Sequence, residues 1–308
     1  MKRTDLAFST PMDAPGWKRW LVYSPLARII VFVIAFLLVG LLARWVMPAL
    51  GLAGPTLDLN QRAAAMLLRE ILPAVLAYAF LVGVIERRRP AELSLRGLLP
   101  GVSAGLGLGA LLFIVVMGVL WLAGSYHVDG TGFPPHWLAL VLMVGPGAGI
   151  AEEIMFRGVL FRIVEEGLGT WAGLLVSALA FGAVHLGNPH ATVWSGLAIA
   201  IEAGVLFALV YHVTRSLWLC MGLHAAWNVM EGPVFGASVS GLPPMGWVHA
   251  HLDGPAWLSG GTFGPENSLV TVLACVLLAS GFLVVALRRG SLVPPFWRRA
   301  RHPGGDSA

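Results

Sequence analysis

The sequence predicts an all-α, polytopic transmembrane bundle of about eight helices. Three observations predict it. Hydrophobic residues fill 57% of the 308 positions and charged residues 12%, against about 25% charged in an ordinary soluble domain. Apolar runs long enough to cross a bilayer recur along the chain. Lysine and arginine collect between alternate runs rather than evenly.

Residues 1–25 are polar and basic, with Lys2, Arg3, Lys18 and Arg19. They read as a cytoplasmic N-terminal tail. The run over 29–50 is too long for a signal-peptide core and no clear cleavage site follows it, so it is taken as the first helix. The second is expected over 63–85, with Arg69 and Glu70 in its first turns, where a long side chain can snorkel. Glu86-Arg87-Arg88-Arg89-Pro90 then stops it. The third is expected over 101–123. Gly101, Gly105 and Gly109 recur every fourth position and so share a face that admits close helix approach. Gly105-Leu106-Gly107 has no strand before it and is not a nucleotide loop.

Residues 26–136 thus form an N-terminal group of three helices. A second group, 137–231, holds four more: one through the Glu152-Glu153 pair, with Pro146 as a kink point, then 170–186, 193–213 and 217–230. Residues 232–267 are rich in Gly and Pro, lack lysine and arginine, and read as an extracytoplasmic loop. The eighth helix lies in 268–289, and 290–308 form a basic cytoplasmic tail. Of the 20 lysines and arginines, this topology leaves three, Arg44, Arg62 and Arg69, on the far side. The positive-inside rule therefore places both termini in the cytoplasm. The localisation expected is an integral, multi-pass membrane protein of a bacterial inner membrane. The net charge of +4 faces anionic lipid and calls for no nucleic-acid partner. Cys220 and Cys275 sit in apolar runs and read as buried thiols. Nothing in the sequence sets an oligomeric state.

Charges inside a membrane helix cost a few kcal/mol each, about 2.5–3.5 at the helix centre, and generally mark function. Glu153 and Arg157 are four apart and pair on one helix face. Glu152 points about 100° away without a local partner, which suits a general base. Phe181 and His185 share a face of the fifth helix. His224 and Asn228 share a face of the seventh. Glu202, His212 and Glu231 have no motif partner and are read as structural or interfacial. His249 and His251 lie in the outer loop; two His one residue apart can bind metal, although a solvated loop is the simpler account. Glu266 is expected to cap or line the outer mouth.

Together, Glu152, Glu153, Arg157, His185, His224 and Asn228 suit hydrolysis in a membrane. Glu152, helped by His185, would take a proton from water, and His224 with Asn228 would donate to an oxyanion. No serine or cysteine has the partners of a covalent nucleophile. The His-Glu-x-x-His zinc signature is absent. Carboxylate and imidazole nevertheless suit zinc, with Glu153, His185 and His224 as the candidate ligands, so both chemistries stay open.

Glu-Glu-x-x-x-Arg at 152–157, Phe-x-x-x-His at 181–185 and His-x-x-x-Asn at 224–228, in that order on successive helices, resemble the CPBP family. These are the CAAX-protease and bacteriocin-processing, or Abi, intramembrane proteases, and the resemblance covers about 137–231. It implies that Glu152 activates water with Glu153 and Arg157 in support, that His185 assists, and that His224 and Asn228 form the oxyanion site. The family has been described both as metalloproteases and as metal-independent glutamate proteases. The substrate implied is a membrane-associated protein or peptide within the lipid bilayer. Two other classes compete. A non-enzymatic immunity or scaffold protein would keep the polar cluster for packing. A proton-coupled transporter would use buried Glu and His as a relay, but no paired broken helices in two matching halves are seen.

Overall fold

The structure is a computed structural model and describes residues 6–299. Lys2, Arg3 and Arg301, and the ends of both tails, lie outside the described residues.

Helix α1 spans Pro25–Leu50. It starts ahead of the apolar run because Ser24 accepts a hydrogen bond from the Ala27 N–H and Pro25 fills the first position. Helix α2, Leu59–Ile85, opens on a capping box between Asp58 and Gln61. Arg69 and Glu70 therefore lie well inside the helix, where they pair at 2.7 Å on its surface. Helix α3 is Leu98–Leu122, α4 Trp137–Leu168, α5 Thr170–His185 and α6 Val193–Thr214. Helix α7, Leu217–Val229, runs on through a π-helical turn to Val234. Helix α8 is Leu269–Arg289.

Among the described residues six helices, α1 to α4, α6 and α8, are long and apolar enough to cross a membrane. Helix α5 is apolar but only 16 residues long. The chain is thus a mostly helical, integral multi-pass membrane protein. Leu37, Leu41 and Trp45 on α1 and Leu273 and Leu277 on α8 stay exposed on the bundle, as lipid-facing side chains do.

The expected 232–267 loop is more structured than its composition suggested. Strand β1, Tyr126–Thr131, follows α3, and β2, Val248–Leu252, lies within the loop. They pair antiparallel, with His127 opposite His251. Val248, Ala250 and Leu252 are half-buried and alternate with exposed His249 and His251. That period of two is the strand signal, short enough to be lost among glycines and prolines.

The packing of α3 on α7 follows the glycine row. A Cβ on Gly105 would stand 2.2 Å from the Leu219 carbonyl oxygen, and one on Gly109 would stand 2.4 Å from that of Leu223. No side chain fits there, so the two backbones touch and α7 is fixed against α3.

One end of the bundle is closed by buried ion pairs. Arg28 Nη1 lies 2.7 Å from Glu86 and 2.8 Å from Glu166. Arg162 meets the same two carboxylates at 3.0 and 3.2 Å. Arg88 joins Glu86 to Glu92 at 2.7 Å each, and the Tyr78 hydroxyl donates to Glu92. Beside them Glu165 accepts from Arg215 and His212, both at 2.5 Å, and His212 Nε2 meets Ser291 Oγ at 3.0 Å. The start of α1 and the ends of α2, α4, α6 and α8 therefore share one layer. Arg28, Arg162 and Glu86 are buried there, rather than facing lipid headgroups. Burial opposes the charge on Glu86, but Arg162, Arg88 and Arg28 outweigh it and hold the carboxyl below its usual range. Glu92 behaves alike: burial is outweighed by its hydrogen bonds from Arg88.

Candidate active site

Helix α4 carries the acidic pair into the bundle. π-helical turns flank it, at Met143–Gly147 and Ile154–Phe161; such widened turns favour functional positions. Glu153 and Arg157 both turn inward and have no exposed side-chain area. Arg157 Nη1 donates to Glu153 Oε1 at 2.8 Å, and Nη2 donates to the Ala203 carbonyl at 2.6 Å. That carbonyl lies in a third π turn, Ala200–Val205 of α6. The guanidinium is also covered by Phe181 and Phe207, with ring centroids at 4.6 and 5.2 Å, contacts that help a desolvated cation.

His224 reaches the same carboxylate from α7. Its Nδ1 lies 2.8 Å from Glu153 Oε1. As Nδ1–H donates there, Nε2 is left to face Glu152, with 3.9 Å between Nε2 and Glu152 Oε2. Glu152 keeps about a quarter of its side chain accessible, 26%, yet its Oε2 is buried and has no hydrogen-bond partner. A water molecule at ordinary hydrogen-bond distance, about 2.8 Å, from both atoms fits that separation.

His185 ends α5. Its Nδ1 donates to the Phe181 carbonyl at 2.7 Å, which leaves Nε2 as an acceptor. Asn228 donates one amide N–H to the Val144 carbonyl at 2.9 Å and keeps a second. Glu152, His185, His224 and Asn228 all line one cavity of about 840 Å³. Glu153 and Arg157 lie behind its wall. Counted from the helix ends at Leu168 and Thr170, Glu152 and His185 stand about 16 and 15 residues along their helices, roughly 22–24 Å at 1.5 Å per residue. The two residues are level.

The cavity has further walls that the motifs did not mark. Glu202, from the π turn of α6, and Trp227 line it, and the 232–267 loop contributes Val239, Ser240 and Glu266. Glu266 accepts from Trp227 Nε1 at 3.2 Å and from the Ser240 N–H and hydroxyl at 2.8 and 2.7 Å. Glu202 and Glu231 are buried with no partner for either carboxylate oxygen. Glu231, expected at the interface, is fully enclosed, because α7 continues past it. Glu202 gave one readable signal, a carboxylate in the middle of an apolar run. The π turn that directs it was not readable.

The candidate zinc ligands Glu153, His185 and His224 are not drawn together as a set. Glu153 Oε1 is engaged by Arg157 and by His224 Nδ1. Among the described residues the one trio of His, Cys, Asp or Glu with ligand atoms within 4.8 Å of one another is His127, His251 and Asp253, on the β ribbon. This donor set does not fit a zinc centre in the cavity as it stands.

Residues 133–230 match the family model described as type II CAAX prenyl endopeptidase Rce1-like. A curated relative, "Putative membrane peptidase YdiL" of Bacillus subtilis (strain 168), is 29% identical over 94 residues. That stretch is 30% of this chain and 35% of the relative, so the chain spans about a third of the relative's length. No solved structure matches the chain. The family-model match falls where the three motifs lie. Over residues 133–230 the chain is therefore shown to be similar to the CPBP family, on the Rce1-like side of it.

Proposed function

We propose that the chain is an intramembrane endopeptidase that hydrolyses a peptide bond of a membrane-associated protein or peptide with water activated by Glu152. The observation that carries this reading is the unpaired Glu152 Oε2, 3.9 Å from His224 Nε2 at the cavity wall. A water held between them gives its proton to Glu152 as its oxygen attacks the scissile carbonyl carbon. Charge moves to the carbonyl oxygen. In this role His224 carries protons on both ring nitrogens, Nδ1–H to Glu153 and Nε2–H to the oxyanion, and the second N–H of Asn228 joins it. Collapse of the tetrahedral intermediate breaks the C–N bond, and Glu152 returns its proton to the departing amine. His185 Nε2 accepts a hydrogen bond from the water or from the substrate N–H.

Glu153 and Arg157 work through His224. Glu153 balances the imidazolium charge and fixes its ring plane, and Arg157 fixes Glu153. The cavity is large enough for a short extended peptide segment. The basic residues gathered at the ion-paired end support a cytoplasmic position for that end by the positive-inside rule. The test uses the reconstituted chain in liposomes with a membrane-protein extract. New protein termini that form with the wild type and are lost with Glu152→Gln support the reading; identical termini from both sink it.

A second reading has one observation in its favour. Glu202 and Glu231, buried without partners, are the kind of groups that carry protons through a membrane protein. Proton flux across liposomes bearing the chain would separate this transporter reading from a peptidase.

A further inference from the structure

The β ribbon places a set of donors on one face that the cavity chemistry does not use. Successive side chains of a strand alternate between faces. His249, His251 and Asp253 therefore share a face along β2 and its end, and His127 pairs directly with His251 across the ribbon. The two imidazoles stack, with centroids 5.1 Å apart and planes at 19°. One ligand atom from each of His127, His251 and Asp253 lies within 4.8 Å of the others.

The second observation is how the imidazoles are held. His251 Nδ1 lies 2.7 Å from Asp129 Oδ2, and its Nε2 lies 3.4 Å from Asp253 Oδ2. The ladder shifts register between Val128 and Gly130, so Asp129 is the extra residue of a bulge. Bulges re-aim side chains, and this one brings Asp129 to His251. His127 Nε2 donates to the Gly124 carbonyl at 3.0 Å, which leaves Nδ1 free. Each ring thus gives one N–H to a carboxylate or a backbone carbonyl and keeps the other nitrogen as a lone-pair donor. That outer support is what metal-binding histidines show. His251 Nε2 and Asp253 Oδ2 face each other at 3.4 Å, so a proton on Nε2 or a cation between the two atoms satisfies both.

We propose that His127, His251 and Asp253 form a binding site for a divalent transition metal of the Zn²⁺ type, with Asp129 and the Gly124 carbonyl orienting the two imidazoles. Tetrahedral Zn²⁺ with bonds of about 2.0–2.1 Å separates its ligand atoms by about 3.4 Å. The side chains must close by a little over 1 Å. His251 and Asp253 are half exposed or more, so rotamer adjustment achieves this without moving the strands. Three protein ligands leave the fourth position to water. The ion would fasten β1, which follows α3, to β2, which belongs to the loop that walls the cavity.

The experiment uses the full chain in detergent, its affinity tag removed, stripped with chelator and titrated with Zn²⁺ by calorimetry. Wild type is expected to take up one Zn²⁺. His251→Ala and His127→Ala should each bind at least 10-fold more weakly, and Asp129→Asn about 10–100-fold more weakly. His224→Ala should bind as wild type does, which separates the ribbon from the cavity. A rise in melting temperature with Zn²⁺ in wild type, absent in His251→Ala, gives a second readout. The proposal is overturned if wild type shows no saturable binding, or if the His127→Ala/His251→Ala double variant binds as tightly as wild type.

Discussion

Glu153 Oε1 is shared by two partners at the same distance: Arg157 Nη1 and His224 Nδ1 each lie 2.8 Å from it. One buried oxygen thus links α4 to α7 and decides which nitrogen of His224 faces the cavity. The pairing also explains why two adjacent glutamates differ. Glu152 is accessible and unpaired, whereas Glu153 is enclosed and committed.

The first prediction concerns that shared oxygen. Glu153→Gln keeps the side-chain shape but removes the charge that supports the protonated His224 ring. Peptide cleavage should fall by about 10²-fold or more, with little change in KM, since general acid–base groups contribute about 10²–10⁴-fold. Glu153→Ala should also destabilise the fold by about 3–5 kcal/mol, because it leaves Arg157 buried and unpaired. Steady-state kinetics and melting in detergent separate the two effects. A Glu153→Gln enzyme with wild-type kcat would remove Glu153 from the account.

A second prediction tests the α3–α7 contact. Gly105→Ala puts a methyl 2.2 Å from the Leu219 carbonyl oxygen, whereas a Cβ on Gly107 meets nothing within 4 Å. Gly105→Ala should cost about 1–3 kcal/mol, as overpacking does, and should displace His224 and Asn228 on α7. Gly107→Ala should melt like wild type and keep its activity.

The ion-paired layer sets a pH dependence. The Glu86 and Glu92 carboxyls are held below their usual range. A depressed folded-state value adds stability that is complete above the unfolded value, about 4.3, and is lost as pH falls through the folded value. The melting temperature in detergent should therefore hold between about pH 7 and pH 5 and drop below about pH 4. In Glu86→Gln the protein should be less stable at neutral pH and the acid drop should be smaller. An acid limb unchanged in Glu86→Gln and Glu92→Gln would assign it to other groups.

Metal removal is the fourth. The proposed water activation uses Glu152 without a metal, and Glu153 Oε1 already serves Arg157 and His224. Prolonged dialysis against a chelator should leave cleavage within about two-fold of its starting rate, below the 10-fold that 1.4 kcal/mol represents. Full loss on chelation, with recovery on adding Zn²⁺ in His251→Ala as in wild type, would require the cavity side chains to rearrange around an ion.

Much of the helical architecture was readable because apolar runs are local features, although the caps at Ser24 and Asp58, which start α1 and α2 four residues early, were not read. The three motifs led to residues that share one cavity, since helical spacing fixes which side chains face alike. What was not readable depends on distance along the chain. Arg28, Glu86, Arg162 and Glu166 meet only after α1, α2 and α4 pack. Glu231 looked interfacial because the seventh helix was expected to end at residue 230, yet α7 continues through a π turn. The ribbon was hidden because its alternation lasts only five or six residues.

The central claim is that Glu152 activates the attacking water, and the most direct measurement compares protein termini in cells expressing wild type or Glu152→Gln at equal levels. The substitution keeps size and removes the base. Specific new termini with the wild type alone are the predicted result, and their sequences would define the substrate class. Equal profiles from two folded proteins, with the natural membrane partners present, would contradict the peptidase account and favour a non-enzymatic role for the same fold.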